Sequence, residues 1–207
     1  MKSYSFVLYF VIALLFSCSQ NTEKVNELNE KATKLILENL NSIDEASHQE
    51  AIKLLDEALT LDPQNGKAYF SKHYALVRLG KYEEAITTLQ NGIKNVKDFQ
   101  VGDAQRQIGF VYDHMGEDGK AQDHYLSALQ AYHLSTNELG NDRSDPKVIR
   151  TYTERAFTMM FTEEKNTGLN ELISIVEETQ DPNASYLLEV AKTDFNKKQY
   201  IKDYYGI

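Results

Sequence analysis

The segment KAYFSKHYALVRLGKYEEAITTLQNGI (67–93) returns as DAQRQIGFVYDHMGEDGKAQDHYLSAL (103–129), aligned without a gap at an offset of 36 residues. Ala68 matches Ala104, Leu76 matches Tyr112, Gly80 matches Gly116, Ala85 matches Ala121, and Leu89 matches Tyr125. AITTLQNGI also echoes the earlier AIKLLDEALTLDP (51–63). A self-similar period of this length means stacked supersecondary units, because one unit cannot bury its apolar face alone. Within each copy the apolar residues recur every three or four positions, the period of an amphipathic helix. Val25, Leu28, Ala32, Leu35, Ile36 and Leu40 form such a stripe, and Ala51, Leu54, Leu55, Ala58 and Leu61 form another. Ser47 precedes Glu50 by three, the spacing of a capping box that would start the second stripe's helix. No alternating strand pattern is present. All three prolines follow aspartate (Asp62-Pro63, Asp145-Pro146, Asp181-Pro182), which marks three helix junctions.

The copies resemble the tetratricopeptide repeat family. The copy at 102–135 is the better one, with Ile108, Gly109, Tyr112, Gly116, Ala121, Tyr125 and Ala128 on the family pattern. The copy at 66–99 keeps Tyr69, Leu76, Gly80, Tyr82, Ala85 and Leu89 but departs at Lys72, His73 and Gly92. Residues 25–65 fit as a first repeat with a lengthened turn, so repeats are expected over 25–135. Residues 136–147 break the periodicity and read as a hinge or a long surface loop, the loop being favoured. Residues 148–207 read as degenerate repeat helices ending in a capping helix. The resemblance implies an all-α fold, a right-handed superhelical α-solenoid of helix-turn-helix repeats.

The N-terminus reads differently. Lys2 precedes an apolar run from Phe6 to Phe16. Eleven residues at ~1.5 Å each span roughly 16 Å, about half of a ~30 Å bilayer core. Residues 1–17 are therefore expected to be a signal peptide. LFSC resembles a bacterial lipobox, which would make Cys18 a lipidated residue and 18–24 a short tether. The alternative is an ordinary cleaved signal with a free thiol. Cys18 is the single cysteine of the chain, so no disulfide forms within it. Ser19 after the cysteine implies, by resemblance, export to an outer membrane.

The 207 residues carry a net charge of −9, and no Lys/Arg cluster offers a phosphate-binding face, which argues against nucleic acid. His114 and His124 fall on different helix surfaces and do not converge as zinc ligands would. No nucleophile elbow, phosphate loop or HExxH is present. No catalytic residue, metal or cofactor is expected. The face of the first helices that turns away from the apolar stripe carries Phe70, Tyr74 and Arg78 in one copy, and Arg106, Phe110 and His114 in the next. In the family this face lines a groove for peptides or proteins, so these six are the candidate partner-binding residues. The alternative is that the aromatics pack against the N-terminal helix or a neighbouring repeat. The functional expectation is a lipid-anchored scaffold that binds a protein or peptide at a bacterial envelope. A subunit of an envelope assembly, such as a β-barrel assembly or pilotin-like lipoprotein, is the second reading.

Overall fold

The computed structural model describes the backbone of residues 4–40, 42–97, 100–193 and 195–207, with side chains from Asn21 onward. The described residues form helices and turns with no strand. They fall into two compact units, Met1–Asp98 and Phe99–Ile207. The expected all-α class and its helix-hairpin organisation hold in both.

The first unit contains α1 (Tyr4–Glu38), α2 (Glu45–Leu61), α3 (Gly66–Arg78) and α4 (Tyr82–Asn95). Each helix packs against the next, and α1 also lies beside α3. Val25, Leu28, Ala32 and Ile36 of α1 meet Ala51, Leu55 and Ala58 of α2 in one cluster with Ala68 and Ala75 of α3. Alanines at the crossings let the helix backbones approach closely. Leu40 and Leu61, placed on the stripes by periodicity, stand at helix ends and are exposed. The Ser47/Glu50 capping box does not form. The helix starts earlier, at Glu45 after Asp44, and the Ser47 hydroxyl donates to the Asp44 carboxylate.

The second unit contains α5 (Val101–His114), α6 (Asp118–Leu139), α7 (Pro146–Met159), α8 (Lys165–Thr179), α9 (Pro182–Lys192) and α10 (Lys197–Tyr205). Helices α5 to α9 pack in chain order, and α10 folds back onto α5. Tyr125 and Tyr132 of α6 seat against Gly109 and Gly102 of α5. Their hydroxyls donate to Asp113 at 3.0 Å and to Asp103 at 2.5 Å. Ala121, Tyr125 and Ala128 are wholly buried, as the second helix's stripe predicts. Tyr112 is half-buried and stacks on His124.

The repeated glycine has a repeated geometry. Gly80 and Gly116 close α3 and α5 with φ of +70° and +79°, the left-handed conformation glycine adopts without a Cβ penalty. In both, the next residue's N–H reaches back five positions, Lys81 to the Leu76 carbonyl and Glu117 to that of Tyr112. This closes the orphan carbonyls of the last turn. Asp145 and Asp181 cap α7 and α9, each with proline at the first turn. Asp62-Pro63 is a junction of another kind: Asp62 ends α2, and α3 is capped by Asn65, whose side chain accepts from Ala68 N–H.

Two boundaries differ from expectation. Helix α6 continues to Leu139 and α7 begins at Pro146, so the break at 136–147 shrinks to residues 140–145 around Gly140, whose φ is +81°. The division between units falls at 98/99 instead. Residues 18–24, expected as a tether, are helical backbone continuous with α1. The Cys18 side chain lies outside the described residues. Among the described residues no helix is long and apolar enough to cross a membrane.

Candidate functional site

The six candidate groove residues do not form an exposed strip. In the second unit, Phe110 is 1% exposed. Its ring meets Phe161 at 4.8 Å, Tyr204 at 5.6 Å, Tyr200 at 5.9 Å and Tyr125 at 6.1 Å between centroids. Arg106 is buried beside it, paired with Glu154 at 2.5 Å and with Asp103 at 3.7 Å. Arg150 also reaches Asp103, at 2.6 Å. Burial alone would lower the Arg106 pKa, but Glu154 and Asp103 outweigh it and hold the guanidinium charged. His114 is half-buried, and burial, with the Lys202 charge nearby, lowers its pKa. This face of α5 also touches α6, through the rings of Phe110 and Tyr125 and the Tyr125–Asp113 hydrogen bond. Helices α7 and α10 then cover it, which makes Phe110 and Arg106 core residues instead of docking anchors.

In the first unit the correction is similar. Arg78 is buried, and its guanidinium donates to the carbonyls of Asn39 at 2.8 Å, Leu40 at 3.1 Å and Ser42 at 3.2 Å. These are carbonyls at and beyond the C-terminal end of α1, where a helix leaves acceptors unsatisfied and favours a cation. The Tyr74 ring packs against the α1–α2–α3 core, with the Arg78 guanidinium 6.0 Å from its centroid. Phe70 is half-buried.

What stays open in the first unit is a groove along α1 and α3, with a volume of about 520 Å³. Asn26, Asn29, Thr33, Lys34 and Leu37 line it from α1, and Lys67 from α3. These α1 residues lie on the faces beside and opposite the buried Val25, Leu28, Ala32 and Ile36 stripe. Glu30 and Glu38 line it as well, and Lys34 pairs with Glu38 at 3.8 Å. The Asn29 Oδ1 is buried without a hydrogen-bond partner among the described residues. Leu37 is 57% exposed. Leu40 and Ile43, also exposed, follow it along the chain. Two amides and a hydroxyl supply both donors and acceptors, two lysines supply positive charge, and Leu37 supplies apolar contact. That mixture suits a peptide backbone with an apolar side chain. The sequence carried a signal for it: Asn26, Glu30, Thr33 and Leu37 recur at helical spacing on one face.

His114 and His124 stay separate. His124 Nδ1 donates to the Gln105 carbonyl oxygen at 2.6 Å, and its ring stacks on Tyr112. Among the described residues no three His, Cys, Asp or Glu side chains are grouped to hold a metal.

Helix hairpins with self-matching glycine caps and small residues at the crossings define a helical-repeat protein. Residues 42–108 match the family model described as "Tetratricopeptide repeat". A solved structure described as YrrB, "a TPR protein with an unusual peptide-binding site", aligns over 86% of this chain and 91% of its own at 19% identity, with a TM-score of 0.39.

Proposed function

We propose that this chain is a lipid-anchored repeat scaffold that captures a peptide or protein segment along the α1/α3 groove at a bacterial envelope. The open polar groove carries the reading, with Asn26 and Thr33 on its α1 wall and Lys67 on α3. Amide and hydroxyl groups can donate to and accept from a peptide backbone. The apolar run ending in LFSC supports a lipid at Cys18 and an outer-membrane location. Eight residues separate Cys18 from Asn26, roughly 12 Å of helix. The ligand would then be held close to the membrane surface. No residue constellation argues for turnover, so the scaffold acts by binding.

The test is photo-crosslinking in native membranes, with a benzophenone amino acid at Leu37 and, as control, at Glu50, which is exposed on α2. A discrete adduct from position 37 and none from position 50 is expected. Replacing Cys18 by alanine should release the protein from the membrane fraction and reduce that adduct. Equal labelling at both positions would remove the groove reading. A wild-type protein found soluble after processing would remove the anchor.

A further inference from the structure

The last turn of α1 has little apolar anchorage. Its buried stripe ends at Ile36, and no described residue from Leu37 to Ser47 is buried. Leu37, Leu40 and Ile43 are 57%, 42% and 51% exposed. The backbone bonds here each span three residues and are long: Asn39 N–H to the Ile36 carbonyl at 3.2 Å, Leu40 to Leu37 at 3.4 Å, and Ser42 to Asn39 at 3.3 Å. The Asn39 amide adds a bond to the Leu35 carbonyl at 2.8 Å, still within the same segment. A helix end with few buried contacts and weak bonds is the first part of a domain to open. What ties this end to the rest of the first unit is Arg78, at the last position of α3 and 3% exposed. Its two terminal nitrogens donate to the carbonyls of Asn39 at 2.8 Å, Leu40 at 3.1 Å and Ser42 at 3.2 Å. A guanidinium presents its donors in a rigid planar fork, so one side chain fixes several acceptors at once. Its charge strengthens each bond and suits the negative end of a helix. One turn earlier on α3, the Tyr74 ring packs against the core and stands 6.0 Å from the guanidinium.

Both walls of the α1/α3 groove meet in this bridge. Helix α3 supplies Lys67 to one wall from its first turn, and from its last turn it pins the end of α1, which supplies Leu37 to the other. We propose that Arg78 is the positioning residue of the groove. It touches no ligand. It holds the last turn of α1 against α3, so that Leu37 already stands on the groove wall before a peptide arrives. The proposal rests on the groove reading above. Without the guanidinium, the stretch from Leu37 to Ser42 would have to be ordered by the peptide itself, and affinity falls when binding must order a segment. Asn26 and Thr33 differ, because they stand on the part of α1 that the buried Val25, Leu28, Ala32 and Ile36 hold in place. Removing Arg78 should therefore loosen one end of the groove and leave the other.

Two measurements on the full chain test it. The first needs no ligand. Spin labels on p-acetylphenylalanine at positions 37 and 67 report the groove's width by double electron–electron resonance. Wild type should give one narrow distance distribution. Arg78→Gln should about double its width, and Arg78→Lys, which keeps a cation for the carbonyls, should recover about half of the difference. A pair at positions 26 and 67 should change in neither variant. An equally narrow 37–67 distribution in wild type and Arg78→Gln would overturn the proposal. Equal broadening of both pairs would overturn it too, by making Arg78 a general support of the unit. Where Arg78→Gln does not fold, Arg78→Lys carries the same comparison, with a 37–67 distribution still broader than that of wild type. The second measurement is the native-membrane crosslinking assay with benzophenone at position 37 or 26. In Arg78→Gln the adduct from position 37 should fall by about tenfold, while that from position 26 stays within about threefold. An undiminished adduct from position 37 would overturn the proposal and leave the groove reading standing. No adduct from either position in wild type would remove the groove reading and this proposal together.

Discussion

Gly109→Ala should destabilise the second unit by about 1–3 kcal/mol, and the structure says why. A Cβ at position 109 would sit 2.6 Å from Cε1 and 2.8 Å from Cδ1 of Tyr125. To reach ordinary contact at 3.4 Å the ring would retreat by roughly 0.8 Å. It has nowhere to go: Tyr125 is 0% exposed, its ring centroid stands 5.3 Å from that of Phe161, and its hydroxyl is bonded to Asp113. Overpacking of a closed site costs about 1–3 kcal/mol. Stretching a hydrogen bond to a buried carboxylate adds about 1 kcal/mol. The gain in helix propensity from glycine to alanine returns about 1 kcal/mol. Two controls separate these effects. Gly119 is in the first turn of α6 with open space around it, so Gly119→Ala should be neutral or stabilise by up to about 0.5 kcal/mol. Gly116 also has open space but a φ of +79°, so Gly116→Ala should cost about 1–2 kcal/mol by backbone strain alone. Urea midpoints from far-UV circular dichroism, with hydrogen exchange of α5 and α6 amides as a local readout, measure all three. A Gly109→Ala protein as stable as Gly119→Ala would refute the close-packed Gly109–Tyr125 contact and with it the α5–α6 register.

Phe110→Ala should cost about 3–5 kcal/mol, the penalty for truncating a core aromatic, while His124→Ala should stay within about 1 kcal/mol; thermal unfolding that ranks them the other way would return Phe110 to the surface. His73 is wholly buried, and burial pushes its imidazole down to about 4 from an ordinary 6.5, against the raising effect of its bond to the Ala85 carbonyl. The unfolded chain therefore takes up the proton first, so the stabilising contribution is complete above pH 6.5 and is lost as pH falls toward 4, by about 3 kcal/mol in all. Urea midpoints of the first unit between pH 7 and pH 4.5 should fall in wild type with a steeper slope than in His73→Gln, and identical slopes would show that His73 is protonated without cost.

The internal repeat made much of the fold legible. Glycines 36 residues apart report a backbone requirement, and both occupy the same left-handed cap. Apolar spacing located the faces of α1, α2, α5 and α6 because burial of a stripe is a local property of one helix. Helix ends were less legible. Thr136, placed in the expected loop, is buried at the end of α6 and donates to the His133 carbonyl. Its loop-like neighbours Asn137 and Glu138 are tolerated in an exposed last turn. The capping box failed because Asp44, one residue before Glu45, already supplies a start, and Ser47 turns back to it.

The candidate site was the least legible part, for one physical reason. A helical wheel states which way a side chain points but carries no information about what stands there. Phe110 and Tyr74 lie outside the central apolar stripes of α5 and α3, and both are covered by other parts of the same chain. Phe110 meets Phe161, just beyond α7, and Tyr200 and Tyr204 of α10, some 50 to 95 residues away in sequence. Arginine misleads in the same way. Arg78 and Arg106 are charged residues on an outward face, which favours solvent, yet each finds acceptors within its own unit. For Arg78 these are the last carbonyls of a helix end, and for Arg106 they are two carboxylates. Backbone carbonyls leave no trace in the amino-acid pattern, so no count of side-chain types could have foretold Arg78. The α1 groove shows the converse. Asn26, Thr33 and Leu37 look like an ordinary solvated face, and line a groove only because α3 brings Lys67 beside them. In a repeat protein the apolar stripes define the hairpins, while the binding surface is defined by which outward faces the rest of the chain leaves uncovered.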